Sequence, residues 1–274
     1  MNRLSKSIDG YTYLCYGNDT ISNSLINYGY WENSLIQYVE KHLTENSVIL
    51  DIGANIGTWS IPLSNKENRK IYSFEPYNSS YQALCGNIFI NNKTNIIPFH
   101  CALTDSTNIN KNLKMILPEA INIGGCKLVD TSSSIYQLGS GVGLETGELP
   151  VELLKLEENE QMSQIQKSST RSAVRNDFML KTLDSFDFEK IDFIKLDVEG
   201  HELNVLMGGV NTILKYKPII MFECWSLNSI HWTGIPNTYN QLMDYIKYKL
   251  GYTINKIEID GIDNYEAIPI IREQ

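Results

Sequence analysis

The sequence lacks any hydrophobic run that approaches the roughly 18 apolar residues of a membrane-spanning helix. The first ten residues, Met1 to Gly10, also lack the hydrophobic core of a secretory signal. Together these two absences predict a cytoplasmic protein with no membrane partner.

Cysteine and basic charge are both scarce. The five cysteines are dispersed, odd in number and never at C-x-x-C spacing, which predicts reduced thiols rather than disulfides or a zinc knuckle. The 23 lysines and arginines are outnumbered by 32 acids, for a net charge of −9. Because nucleic-acid binding needs a clustered basic face, and none is present in the sequence, we expect no nucleic-acid partner.

What the sequence does contain is an alternation of strand-like and helix-like segments. A length of 274 residues with 42% hydrophobic residues suits one sizeable core, so we expect a single domain over 1–274. Helical spacing of apolar residues from about Gly29 to Thr44 predicts a helical lead-in over 1–45. Strands are expected near 48–52, 71–75, 96–101, 191–198 and 218–223, with a closing hairpin of 252–259 and 265–271. This order predicts an α/β fold with a mostly parallel sheet, helices on both faces and a C-terminal antiparallel hairpin.

The first strand runs into a glycine turn, Asp51 to Gly57, and then into a predicted helix. Gly53 and Gly57 allow the main chain to approach a ligand closely. A dinucleotide-binding turn has three glycines in the pattern G-x-G-x-x-G, whereas Asn55 takes the place of the middle one here. The spacing therefore fits a pyrophosphate poorly. The strand-turn-helix unit nevertheless leaves a nicotinamide-dependent oxidoreductase as an alternative.

Two acids at strand ends indicate a different cofactor. Asp51 would repel a phosphate but can accept hydrogen bonds from an ammonium or a ribose, and S-adenosylmethionine has both groups and no phosphate. Glu75, which lies 18 residues beyond Gly57 at the end of the second strand, is placed to hold ribose hydroxyls. Asp105, after the third strand, is placed to accept the adenine amino group, although an aspartate in a turn is an equally good interpretation.

Four motifs in order resemble the FkbM family of methyltransferases. They are DIGANIG at 51–57, FEP at 74–76, LDS at 183–185 and IKLDVEGHE at 194–202, and the resemblance runs from about residue 20 to 225. The resemblance implies a class I methyltransferase fold, Rossmann-like with a seven-stranded sheet. It also implies S-adenosylmethionine as methyl donor and, usually, O-methylation of a hydroxyl on a sugar or natural product.

The segment 102–176 departs from this pattern. It is longer than the family leads us to expect, and its glycines, serines and polar stretches lack helical or strand periodicity. We interpret it as an insertion that faces the methyl acceptor and is partly mobile. Trp225 and Trp232, beyond the fifth strand, are either a stacking wall for the acceptor or part of a lid core.

The reacting groups of such sheets gather beyond the carboxyl ends of the strands. His201 is the first choice for a general base because its ordinary pKa lies near 6.5. Glu199 is an equally plausible base or hydroxyl anchor, or else a helix cap, and Asp197 is expected beside the methionine end of the cofactor or the acceptor. A divalent cation on Asp197, Glu199 and Glu223 is a rival explanation of these acids, although the predicted site includes no metal.

The leading hypothesis is therefore an S-adenosylmethionine-dependent O-methyltransferase that acts on a glycan or a small molecule. A catalytically inactive scaffold that binds the cofactor is a further alternative, favoured only by the long 102–176 segment. The sequence leaves open N-methylation, a protein acceptor and the oligomeric state.

Overall fold

A computed structural model describes residues 3–16, 19–111, 113–116, 125–130, 174–175, 178–224, 238–259 and 263–270. The strands, in chain order, are β1 (Arg3–Lys6), β2 (Thr12–Cys15), β3 (Val48–Ile52), β4 (Lys70–Phe74), β5 (Ile96–Phe99), β6 (Cys101–Leu103), β7 (Leu113–Ile116), β8 (Lys127–Asp130), β9 (Val174–Arg175), β10 (Met179–Lys181), β11 (Phe193–Leu196), β12 (Ile219–Glu223), β13 (Tyr252–Ile257) and β14 (Asn264–Pro269). The helices are α1 (Thr20–Asn27), α2 (Asn33–Glu40), α3 (Ser60–Leu63), α4 (Asn78–Ile90), α5 (Glu202–Gly208), α6 (Val210–Tyr216) and α7 (Thr238–Asp244), which continues as a π-helix over Tyr245–Leu250.

Seven strands form the central sheet in the order β13-β14-β12-β11-β3-β4-β5. Neighbours from β12 to β5 are parallel, and β14 pairs antiparallel with both β12 and β13. The predicted class I, Rossmann-like fold, with its mostly parallel seven-stranded sheet and antiparallel C-terminal hairpin, is confirmed. The predicted turn at Asp260 and Gly261 lies outside the described residues.

Both faces of the sheet are buried, because successive side chains of a strand point to opposite faces. One face, which includes Leu50 and Ile194, packs with Val205 of α5 and Leu242 of α7. Burial of each such aliphatic side chain stabilises the fold by about 1.5 to 3 kcal/mol.

The opposite face packs against the N-terminal helices. Ile49, Ile71 and Phe193 lie in one cluster with Leu35 and Val39 of α2, and all five are essentially inaccessible to solvent. The segment before the first central strand therefore completes the core of the sheet.

The prediction of a helical lead-in over 1–45 is only partly correct. Residues 3–15 form the antiparallel hairpin of β1 and β2, in which Arg3 pairs with Cys15, and helices follow only from Thr20. The physical reason is the period of two in β2, where Tyr13 and Cys15 are buried while Thr12 and Leu14 are partly exposed.

The described parts of 102–176 contribute to two further small sheets. Strands β7, β8 and β9 pair antiparallel in the order β8-β7-β9, and β6 pairs parallel with β10. The rest of this segment lies outside the described residues, so the boundaries of the insertion and the single domain over 1–274 stay predictions.

Two further predictions concern the cysteines and membrane-spanning helices. None of the five cysteines is in a disulfide. Across the part of the chain that the structure describes, no helix combines the length and the apolar character needed to cross a bilayer.

Candidate active site

Three adjacent strands, β11, β3 and β4, place polar residues in a row behind their carboxyl ends. The strand register sets Asp51 beside Lys195 on one side and beside Ser73 on the other. Toward the interior the same face is apolar. The polar row therefore lies between the hydrophobic core and the rim where the strands end.

Asp51 is fully buried and is held inside the protein. Its Oδ2 accepts a hydrogen bond from the Ser60 hydroxyl at 2.5 Å, and that hydroxyl also lies 2.7 Å from the hydroxyl of Ser73. Its Oδ1 lies 3.8 Å from Nζ of Lys195. The predicted direct contact between Asp51 and a cofactor is thus replaced by a contact with Lys195, because the carboxylate lies behind the rim.

Lys195 connects the buried row to the rim. Its Nζ donates to the carbonyl oxygen of Gly53 at 3.0 Å and to Oδ2 of Asp197 at 3.1 Å. Burial by itself would lower the pKa of Lys195, but the charges of Asp197, Asp51 and Glu32 outweigh burial and raise the pKa above its ordinary value. The ammonium therefore stays charged and fixes the acids around it.

A cavity of about 270 Å³ opens above this rim. Six of the nine predicted site residues line it, and they are Gly53, Asn55, Glu75, Asp197, Glu199 and His201. The cavity is otherwise mostly apolar. Its apolar lining includes Pro76, Leu103, Met115, Cys126 and Leu128, and the last four belong to the 102–176 segment. Asp51, Gly57 and Asp105 are not among the lining residues.

Gly53 brings the glycine turn against the end of β11. Its φ is +84°, and a Cβ built on it would lie 1.8 Å from the carbonyl oxygen of Asp197. Gly57, with φ +92°, instead faces the core, where a Cβ would meet Leu84 of α4 at 2.8 Å. The two glycines therefore serve different purposes, one at the rim of the cavity and one in packing against α4.

The N–H groups of the glycine turn are already used within the protein. Those of Gly53 and Ala54 both donate to the carbonyl oxygen of Phe74 at 3.0 Å. Those of Asn55 and Gly57 donate to Glu75 and to the carbonyl oxygen of Ala54, each at 2.8 Å. A dinucleotide-binding turn offers such groups to a pyrophosphate, whereas these four are already engaged.

Glu75 presents its carboxylate at the tip of β4. Oε2 accepts from the N–H of Asn55 at 2.8 Å and Oε1 accepts from the N–H of Tyr77 at 2.7 Å. Burial, only partly offset by these two bonds, raises the pKa of Glu75 to about 7. Because each carboxylate oxygen has two acceptor sites, each retains capacity for one hydroxyl in the cavity.

Asp105 lies outside the cavity and has no such capacity. Its carboxylate accepts from the backbone and side chains of Thr107 and Asn108 and from Nδ2 of Asn204, five bonds in total. A carboxylate has about four acceptor sites. The turn interpretation of Asp105 therefore accounts for it, and its predicted contact with adenine does not fit this geometry.

The turn after β11 exposes Glu199 because another acid holds the turn. Oε1 of Glu202 accepts from the N–H groups of Val198 and Gly200 at 3.2 and 3.1 Å. Glu199 adopts φ +56° and lines the cavity. Glu32 and Asn55, with φ +49° each, also line it, and such backbone strain in residues other than glycine is concentrated at functional sites.

His201 is poorly suited to accept a proton. Its Nε2 lies 2.9 Å from the Thr104 hydroxyl, and burial lowers the pKa of His201 to about 4, with Asp105 offsetting this only in part. A general base works best when its pKa is near the working pH. The geometry therefore favours a hydrogen-bonding role for this imidazole.

We expect His201 to stay neutral in NMR titrations from pH 8 down to about pH 5, whereas the ordinary pKa of a histidine is near 6.5. The unfolded chain binds this proton below pH 6.5 but the folded protein does not until about pH 4. The stability contributed by His201 is therefore lost as the pH falls through that window, by up to about 1.4 kcal/mol per unit. His201→Gln identifies the resonance, and a titration midpoint at or above 6 would contradict the burial argument.

Two residues of the site have no counterpart in the predictions. Lys195 is part of the fourth motif. A lysine within an otherwise apolar strand is unusual, and this signal could have identified it as a site residue. Glu32 comes from the N-terminal segment, where its Oε2 accepts from Nε1 of Trp59 at 2.7 Å, and nothing in its sequence context distinguishes it.

The metal alternative has no geometric support in the described residues. Within them, no three side chains of histidine, cysteine, aspartate or glutamate are arranged to hold a metal ion. One oxygen of Asp197 is already bonded to Lys195. Trp225 and Trp232 lie outside the described residues.

Comparison with known proteins adds to this geometry. The family described as "Methyltransferase FkbM domain" matches residues 51–254. Methyltransferase sdnD of Sordaria araneosa is 25% identical over 207 residues, which cover 69% of this chain and 70% of that protein. Hexuronic acid methyltransferase AglP of Haloferax volcanii is 25% identical over 192 residues, which cover 69% of this chain and 61% of that protein.

A solved structure also aligns with this chain. The crystal structure of methyltransferase FkbM from Methylobacillus flagellatus KT aligns with a TM-score of 0.47 at 15% identity. The alignment covers 82% of this chain and 44% of that one. The region shared with this protein is thus less than two thirds of the Haloferax volcanii protein and less than half of the crystallised chain.

Proposed function

Because the chain belongs to the FkbM methyltransferase family, we propose that it transfers the methyl group of S-adenosylmethionine to a hydroxyl of a glycan or a small metabolite. The observation that carries the proposal is Glu75, a buried carboxylate at the tip of β4 with one free acceptor site on each oxygen. Two neighbouring ribose hydroxyls match these two sites. The role that the sequence predicts for Glu75 is therefore the one we propose.

The charges of the cavity support a cofactor without phosphate. Five carboxylates line it, from Glu32, Glu75, Asp197, Glu199 and Glu223, against the single ammonium of Lys195 among the described lining residues. A pyrophosphate would face these acids without the N–H donors of the glycine turn. The sulfonium and ammonium of S-adenosylmethionine carry positive charge instead, which argues against the nicotinamide alternative.

The residues around Lys195 suit the methionine end of the cofactor. Its ammonium group would meet Glu32 or Asp197, while the carboxylate would approach Lys195. Gly53 leaves room for main chain to lie close to the ligand, and the apolar wall of Pro76 and Leu103 would receive the adenine ring.

When bound, the cofactor supplies an activated methyl carbon, so the protein has to orient the acceptor, exclude water and remove a proton. Orientation of this kind can be worth about 7 to 11 kcal/mol. Glu199 would anchor an acceptor hydroxyl, and Met115, Cys126 and Leu128 are apolar residues that line the same cavity. We propose that this part of the 102–176 segment faces the acceptor.

The nature of the acceptor is proposed from the relatives. One of the two relatives is named a hexuronic acid methyltransferase, which supports a sugar as acceptor class. O-methylation follows from that class, because the nucleophiles of a hexuronic acid are the oxygens of its hydroxyls and its carboxylate. Methyl transfer to a panel of glycosides and hexuronic acids, with a methyl ether distinguished from a base-labile methyl ester by mass spectrometry, tests this proposal and the scaffold alternative together.

We expect Glu75→Ala to weaken binding of S-adenosylmethionine by about 100-fold in isothermal titration calorimetry. The loss of two hydrogen bonds to a charged acceptor, at about 1.5 to 3 kcal/mol each, more than accounts for this factor. Glu75→Gln keeps one acceptor oxygen and should lose about tenfold. The exposed Glu67→Gln is the control, and its affinity should equal that of the wild type.

A pair of ligands separates this contact from any effect of Glu75 on the fold. The wild type should prefer adenosine over 2′,3′-dideoxyadenosine by about tenfold or more, because only the former has both hydroxyls. Glu75→Gln should lower that preference. An unchanged preference would contradict the ribose contact, and an absence of binding by S-adenosylmethionine to the wild type would contradict the proposed function itself.

A further inference from the structure

Glu223 is the last residue of β12, and Asp197 is the first residue after β11. The two strands are parallel neighbours, in which Leu196 pairs with Phe222, so the next residues follow side by side at the rim. Adjacent strands are about 4.8 Å apart. Both side chains line the cavity, together with Glu199.

Glu223 differs from the other acids of the cavity in its partners. Asp197 is bonded to Lys195, Glu32 to Trp59 and Glu75 to two N–H groups. The side chain of Glu223 accepts no hydrogen bond from the residues that the structure describes. Of these four acids, Glu223 is therefore the one on which a proton is most easily held.

The surroundings of Glu223 favour its protonated form. Burial, followed by the charges of Asp197, Glu199 and Glu32, raises the pKa of Glu223 to about 9, and Lys195 offsets this only in part. The adjacent Cys224 does not compete as an anion, because burial raises the pKa of its thiol to about 12. At neutral pH the ligand-free protein therefore holds Glu223 largely protonated.

We propose that Glu223 is the proton acceptor of methyl transfer and that the positive charge of the bound cofactor converts it to the ionised, competent form. This inference rests on the proposed function. A sulfonium cation in the cavity favours a nearby carboxylate over its protonated form, in the same way as any opposite charge within a few ångströms. The acid that is inert without the cofactor thus becomes a base once the cofactor is present.

In the proposed reaction Glu223 takes up the proton that the acceptor hydroxyl loses. The acceptor oxygen forms a bond to the methyl carbon, the S–CH3 bond breaks with its electron pair remaining on sulfur, and the hydroxyl proton passes to the Glu223 carboxylate. Sulfur is then neutral, so the charge that had ionised Glu223 is gone. The proton affinity of Glu223 rises at the step in which it takes up the proton.

Proton release on binding tests the proposal without knowledge of the acceptor. S-adenosylmethionine and S-adenosylhomocysteine share the same ammonium and carboxylate and differ by the methylated, charged sulfur. Calorimetric titrations at pH 7.5 in phosphate and Tris buffers, whose ionisation enthalpies differ, give the number of protons released. We expect S-adenosylmethionine to release up to about one proton more than S-adenosylhomocysteine.

The affinity ratio of the two ligands provides a second readout on the wild type. Because only the ionised form favours the cation, the preference for S-adenosylmethionine should increase as the pH rises, by up to about tenfold per unit, and level off near pH 9. Glu223→Gln should abolish both the excess proton and the pH dependence, because an amide does not titrate. Glu223→Asp should restore the excess proton, and Glu67→Gln should behave as the wild type.

Each result decides between the two proposals. If neither ligand binds the wild type, the proposed function fails. If both bind but release equal numbers of protons, only the coupling of Glu223 to the cofactor fails. If the excess proton persists in Glu223→Gln, another acid carries it and the assignment to Glu223 is overturned.

Discussion

Lys195→Met is expected to lower the free energy of unfolding by about 3 to 5 kcal/mol, although the substitution keeps an unbranched side chain of similar length. The ammonium is 3.1 Å from Asp197 and 3.8 Å from Asp51, and its side chain is only 5% exposed. Removing it leaves the fully buried Asp51 without its counter-ion. Denaturation in urea, followed by circular dichroism, measures the change.

Lys66→Met is the matched control for this prediction. Lys66 also pairs with an acid, Glu45, at 3.8 Å, but the two side chains are 46% and 74% exposed. An exposed pair contributes about 0 to 1 kcal/mol because water and salt screen it. Equal effects of the two substitutions would contradict the prediction, because they would show that burial of the ion pairs of Lys195 with Asp51 and Asp197 does not affect stability.

Gly53→Ala is expected to lower the free energy of unfolding by about 2 to 5 kcal/mol and to abolish cofactor binding. An alanine in this left-handed conformation costs about 1 to 2 kcal/mol, and the shift of main chain needed to relieve a Cβ at 1.8 Å from the Asp197 oxygen adds about 1 to 3 kcal/mol. That shift would move the turn and the end of β11, which both line the cavity. Urea denaturation and calorimetric titration of S-adenosylmethionine measure the two effects.

Gly10→Ala separates the clash from the backbone strain. Gly10 has a nearly equal φ of +87°, but no heavy atom would lie within 4 Å of its Cβ. The control should therefore lose about 1 to 2 kcal/mol and keep the affinity of the wild type. If Gly53→Ala were no worse than Gly10→Ala, the close approach of the turn to Asp197 would be unimportant.

The central sheet and most of the rim could be predicted because local patterns determine them. Apolar runs such as 48–52 and 219–223 have strand length, and parallel strands place their carboxyl ends at one edge. Glu75, Asp197 and Glu199 follow directly from that rule. The glycine turn was recognised for the same reason, since its spacing is local in sequence.

Other parts of the site depend on contacts between distant residues, which a single sequence does not reveal. Asp51 was expected at the cavity because it ends a strand, but Ser60 and Lys195 hold it one row deeper. The pKa of His201 depends on burial by elements far along the chain, and Glu32 reaches the cavity from the N-terminal segment.

The residues before the family match belong to the core of the protein. The match begins at residue 51, whereas Leu35 and Val39 cover the sheet face of Ile49, Ile71 and Phe193. A recombinant fragment that begins at residue 51 would lack most of β3, including Ile49, as well as Glu32, and it would leave Ile71 and Phe193 uncovered. It should precipitate on expression, so the region that matches the family model is smaller than the unit that can be purified.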